Sequence, residues 1–165
     1  LRNTATNAKS VFFAFPFETI SDAQEPAVLS QIVGWLGPLG DIGPIAPTSV
    51  MTNALFTYRL PLATSNANFA THAQVTVTLP AEVALVTLGD PALRYDVPSR
   101  SVRWIGGVVP ARTLTWTVQL NALTPPGALL TANATIRDVD EGNTFTRVAR
   151  TLVERSRYYF PLMGR

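Results

Sequence analysis

Residues 101–120 read SVRWIGGVVPARTLTWTVQL. Val102 and Trp104 alternate with Ser101 and Arg103. After a short break, Leu114, Trp116, Val118 and Leu120 alternate with Thr113, Thr115, Thr117 and Gln119. Successive side chains of a strand point to opposite faces, so a period of two gathers the apolar residues on one face and the polar ones on the other. Two such runs in succession, each with a tryptophan on its apolar face, predict neighbouring strands over one core. Trp104 and Trp116 are the predicted anchors, because an indole buries on the order of 200 Å². Their inward position argues against stacking on a ligand. Gly106-Gly107 reads as a turn signal between the runs.

The same period extends outward on both sides. Phe56, Tyr58, Leu60 and Leu62 alternate with Thr57, Arg59 and Pro61, and Val75, Val77 and Leu79 alternate with Gln74, Thr76 and Thr78. Leu130, Ala132, Ala134 and Ile136 follow the rule further on, and a last strand is expected from Phe145 to Val153. Turn signals lie between: Thr64–Asn68, Gly89-Asp90-Pro91, Pro98-Ser99-Arg100, Pro125-Pro126-Gly127 and Asp140-Glu141-Gly142-Asn143. Many short strands with one apolar face predict a mainly β chain folded as an antiparallel, immunoglobulin-like β-sandwich over residues 49–155.

Residues 10–38, SVFFAFPFETISDAQEPAVLSQIVGWLGP, break this pattern. Val11–Phe15 is continuously apolar, as in a strand covered on both faces, and Pro16 closes it. Ser21 or Asp22 can cap a helix, with Gln24 or Glu25 as the capping-box partner and Pro26 in the first turn. Val28, Leu29, Ile32, Val33 and Leu36 form its apolar stripe, and Gly37-Pro38 ends it. A single strand and helix cannot cover their own apolar faces. Residues 1–36 are therefore expected to be the closing strand and helix of an upstream α/β domain. Residues 37–48, with three Gly and three Pro, are the expected linker, and residues 156–165 a C-terminal tail. Leaving several apolar side chains in water costs about 1.5–3 kcal/mol each. The segment is thus expected to pack on the sandwich, on its upstream domain, or on a second copy in a homodimer through residues 10–36.

Hydrophobic residues make up 47% of the 165, ample for a core, while charged residues are only 15%, below the ~25% typical of soluble domains. Residues 1–93 hold three cationic and six anionic side chains, and residues 94–165 hold ten arginines and five carboxylates. The net +5 of the second half does not predict nucleic-acid binding, because the arginines alternate along strands without interleaved aromatics. No apolar run approaches the ~20 residues that span a bilayer, and no charged-then-apolar leader opens the sequence. If the parent protein is exported, its signal is expected upstream of Leu1.

FTYRLPLATSN, AQVTVTLPAEVALV, SVRWIGGVVPARTLTWTVQL and NATI, in that order, resemble the conserved-repeat, immunoglobulin-like β-sandwich family of bacterial surface and secreted proteins. Tyr58, Asn66, Val75, Val77, Leu79, Pro80, Val102, Trp104 and Gly106 match its pattern. Pro110-Ala111 stands where the family has Pro-Gly. The resemblance covers roughly residues 50–153 and implies the fold and an extracellular or cell-surface location, with little about activity. VFFAFPFETI with its helix is similar to the last βα unit of the α/β domain in subtilisin-like and gingipain-like secreted peptidases, and YYFPLMGR is similar to tails of exported bacterial proteins. Together these imply a non-catalytic accessory module, the C-terminal region of a secreted peptidase. The alternative is an extracellular binding module for carbohydrate or a surface protein partner. Phe69, Tyr95, Tyr158 and Tyr159 are the candidates for an exposed aromatic patch.

No catalytic residue and no cofactor is expected. With no cysteine and one histidine, His72, thiol chemistry and a typical catalytic zinc site are excluded. A hydrolase triad lacks its G-x-S-x-G elbow. Glu18 and Glu82 are single acids beside turns, not a convergent pair. A Lys–Asn or Lys–Asp crosslink would need Lys9, outside the sandwich. Asn133-Ala134-Thr135 matches a glycosylation sequon within an expected strand. Asp138, Asp140, Glu141 and Asn143 in RDVDEGNTF form the densest oxygen-ligand cluster and the one calcium candidate. Their simpler reading is a hairpin turn.

Overall fold

The computed structural model describes residues 2–3, 8–9, 21, 24–36, 44–64 and 70–155. Near the N-terminus, β1 (Arg2–Asn3) pairs antiparallel with β2 (Ala8–Lys9). Helix α1 spans Glu25–Leu36. At its start the backbone N–H groups of Gln24 and Glu25 donate to the Ser21 carbonyl at 2.7 and 3.1 Å, and the expected partners Ser21 and Gln24 meet through their side chains, the Ser21 hydroxyl donating to Gln24 Oε1, rather than through the side chain-to-backbone bonds of a capping box. Within the stripe Leu29 is 47% exposed, while Val28 and Ile32 are half-buried. The expected strand Val11–Phe15 and linker residues 37–43 lie outside the described residues.

From residue 49 the chain is a sandwich of two sheets. Its strands are β3 (Ser49–Met51), β4 (Leu55–Ala63), β5 (Thr71–Thr78), β6 (Val83–Leu88), β7 (Arg94–Asp96), β8 (Ser101–Val108), β9 (Ala111–Leu120), β10 (Leu129–Asp138) and β11 (Thr144–Glu154). The larger sheet runs β3-β11-β10-β5-β8-β7 and the smaller β4-β9-β6. Every pairing in both sheets is antiparallel except β3 with β11, which is parallel.

The incoming segment ties the two sheets together. Ile45 exchanges backbone hydrogen bonds with Arg59 of the smaller sheet, at 2.6 and 2.9 Å. Three residues later the Thr48 carbonyl accepts from Leu152 N–H of the larger sheet, and the Thr151 hydroxyl donates to the Pro47 carbonyl. Pro44 is buried, and Ala46 and Val50 pack against the core.

The core is filled by the inward faces the alternation predicts. Tyr58 lies directly opposite Trp116 in the β4–β9 ladder, and their rings stack at 5.6 Å and 18°. Phe56, Leu60, Leu114, Val118, Val75, Val77, Val102 and Trp104 complete much of it. Gly106-Gly107 is not a turn: both residues lie within β8, and the chain reverses at Val109-Pro110. The reason is steric. A Cβ on Gly106 would stand 2.6 Å from Cζ2 of Trp104, so the glycine makes room for the indole lying over it.

Candidate functional site

The β10–β11 hairpin brings together the acidic residues singled out in the sequence. Asp138 is fully buried, and its Oδ1 accepts from the Thr71 hydroxyl at 2.7 Å and from the N–H groups of Asp140 and Glu141 at 3.1 Å each. The Asn143 carbonyl accepts from Asp138 N–H, and Gly142 takes a left-handed φ of 77° that closes the turn. Asp140 accepts from the backbone N–H of His72 at 2.8 Å and lies 3.1 Å from His72 Nδ1. The His72 backbone donor, then its ring, holds the Asp140 carboxyl below the usual carboxylate range. Asp138, Asp140, Glu141 and Asn143 are thus adjacent, and at least one Asp138 oxygen is committed to the turn. Among the described residues, no three His, Asp or Glu side chains converge in a group that could hold a metal ion.

His72 heads β5 and its side chain is 66% exposed. Among the described residues no serine or threonine hydroxyl is hydrogen-bonded to its ring, so His72 and Asp140 form a pair without a nucleophile. Glu82 sits in the β5–β6 turn, where its carbonyl accepts from Asn121 N–H. Asn133 and Thr135 point outward from β10. Lys9 lies in β2. Glu18, Phe69, Tyr158 and Tyr159 fall outside the described residues, and Tyr95 is half-buried and packs against the core.

Sequence reasoning missed a cleft where β7 meets β8. About 240 Å³ in volume, it has Ala92, Trp104 and Ile105 on its apolar side and Gln74, Arg94 and Arg103 as its polar groups. β7 is only three residues long, too short for a period to show, so the side-by-side placement of its arginine with Arg103 could not be read. Near the cleft, Arg112 pairs with Asp90 at 2.6 Å and lies 5.2 Å from the centroid of the Trp104 ring. The Arg112 guanidinium, followed by the Ala92 N–H, holds the Asp90 carboxyl low. Asp96 accepts hydrogen bonds from the Ser99 hydroxyl and from Arg103, and Ser99 is the larger reason its pKa is lowered.

No family model matches the chain, and no curated protein sequence does. Solved structures do. The bacterial hydrophobin BslA matches with a TM-score of 0.52 at 19% identity, over 74% of this chain and all of that one. A cohesin module of a family 33 glycoside hydrolase from Clostridium perfringens gives a TM-score of 0.47 at 15% identity, over 70% of this chain and 98% of its own. The collagen-binding domain of a Staphylococcus aureus adhesin gives 0.47 at 6% identity, over 67% and 96%. The BslA match agrees with the sandwich architecture and, at that identity, speaks to the fold alone.

Proposed function

We propose that residues 49–155 form a non-catalytic accessory module of an exported bacterial protein, that residues 1–36 close an upstream α/β domain of the same chain, and that the whole is the C-terminal region of a secreted peptidase. The observation that carries this reading is the sandwich interior, packed with Trp116, Tyr58 and their neighbours, beside surface groups that form no nucleophile–base pair among the described residues. Such a body supplies rigidity and spacing, and leaves chemistry to another domain. An antiserum raised against residues 49–155 tests it on fractions of the source organism. The expected antigen is extracellular or on the cell surface, runs above 17.8 kDa, and coincides with a clearing band in a casein zymogram. A cytosolic antigen of that mass would overturn the reading, and an exported antigen without protease activity would remove its peptidase part.

A second reading is supported by the β7–β8 cleft: the module itself binds carbohydrate or a surface protein. Pull-down and glycan-array screens with the whole chain test it. Retention of a ligand favours it, and a complete lack of hits counts against it.

A further inference from the structure

Arg94 and Arg103 stand directly opposite each other in the β7–β8 ladder. Like charges in that position destabilise a sheet, so the arrangement works against the fold. Only one of the two guanidinium groups has a carboxylate: Asp96 Oδ2 lies 3.0 Å from Arg103 Nη2, and Arg94 has no acidic partner among the described residues. Arg94 is nevertheless fixed in place. Its Nη1 donates to the carbonyls of Pro91 at 2.6 Å and Leu93 at 2.9 Å. A guanidinium carries five N–H donors, so three on Arg94 stay open. Arg103 spends Nη2 on Asp96 and Ser99, and Nε on Ser101, which leaves Nη1 open.

Both arginines line the same cleft, and so does Gln74, which follows Ile105 across the sheet and has Arg137 as its neighbour on the far side. Ile105 is 66% exposed beside them and, with Ala92, offers an aliphatic surface. Trp104 is nearly fully buried and cannot serve as a platform for a flat base, which disfavours a nucleic acid. We propose that the cleft binds a carboxylate-bearing sugar, a hexuronate unit of an acidic polysaccharide. Its carboxylate lies between Arg94 and Arg103, its C–H face rests on Ile105 and Ala92, and a ring hydroxyl reaches Gln74. Planar guanidinium forks match a carboxylate in two-point contact, which a point charge does not. A cleft of about 240 Å³ is on the scale of one substituted six-membered ring.

This rests on the binding-module reading and names its ligand. The test is titration of the whole chain with tetragalacturonate, with cellotetraose as the neutral arm and sodium sulfate as the simple-anion arm. Saturable binding of tetragalacturonate alone is expected, weakening as salt rises. Arg94→Gln should weaken it about tenfold or more, and Arg94→Lys should not restore it. Arg94→Gln gives up the hydrogen bonds to Pro91 and Leu93 as it removes the opposed charge, so the two effects offset and a cooperative melt near that of the unmodified chain is expected. No saturation, equal affinity for sulfate, or unchanged affinity in Arg94→Gln would overturn the proposal. Binding of cellotetraose or of a protein partner alone would overturn it too, while leaving the broader binding-module reading intact.

Discussion

Tyr58 sits at the centre of the core, 1% exposed, and its hydroxyl finds no hydrogen-bond partner among the described residues. Burial pushes its pKa from 10.0 up to about 12. The folded protein therefore keeps the phenol proton at a pH where the unfolded chain has lost it. Stability is therefore complete below pH 10 and falls by about 1.4 kcal/mol per pH unit until pH passes 12. Tyr58→Phe removes the unpaired hydroxyl and keeps the ring stacked on Trp116. We expect it to raise stability by up to about 1 kcal/mol, roughly 2–4 °C in melting temperature, and to flatten the loss between pH 10 and 12; thermal melts across that range check both. Arg100 works in the opposite sense. It takes a left-handed φ of 50°, unfavourable for a side chain with a Cβ, yet its Nη2 donates to the carbonyls of Pro80, Ala81 and Val83 and clamps the β5–β6 turn. Arg100→Ala keeps the strain and loses the clamp, and urea unfolding should show a loss of about 1.5–3 kcal/mol.

Element by element, what the sequence disclosed depended on length and alternation. The strands around Phe56–Leu62, Val75–Leu79, Leu114–Leu120 and Leu130–Ile136 were legible because eight or more residues alternate on each and one face is buried. β6 was not, since VALVTL is a run without alternation and carries a bulge between Leu85 and Thr87. β3 and β7, three residues each, exist through their neighbours rather than through any pattern of their own. Gly106 misled for a related reason: a glycine that admits an indole looks, in one dimension, like a glycine that turns a chain. Gly106→Ala should drive a methyl group into Trp104 and cost about 1–3 kcal/mol, with a shift in the tryptophan fluorescence spectrum; an unchanged midpoint and spectrum would contradict that packing. The acidic hairpin was legible as a cluster, but its hydrogen bonds to Thr71 and His72, nearly seventy positions away in sequence, were not. The arginine cleft needed the register of two strands and was beyond reach.

At the scale of the whole molecule, the segment 44–51 crosses from one sheet to the other and joins them. Ile45 supplies the tie to the smaller sheet through its N–H, while its side chain is exposed. Ile45→Pro deletes that donor and also restricts the buried Pro44 before it; chemical denaturation should show a loss of about 1–3 kcal/mol, with both sheets still unfolding together. The parallel pairing of β3 with β11 gives that crossing a mechanical meaning. Ser49 lies beside Leu152 and Met51 beside Glu154, so the chain enters at one end of this ladder and leaves at the other. Tension applied through the flanking segments would pull the two strands along their lengths in opposite directions. Their hydrogen bonds would be loaded in shear, all at once, instead of being peeled open singly. A body built this way resists stretching at its own point of attachment.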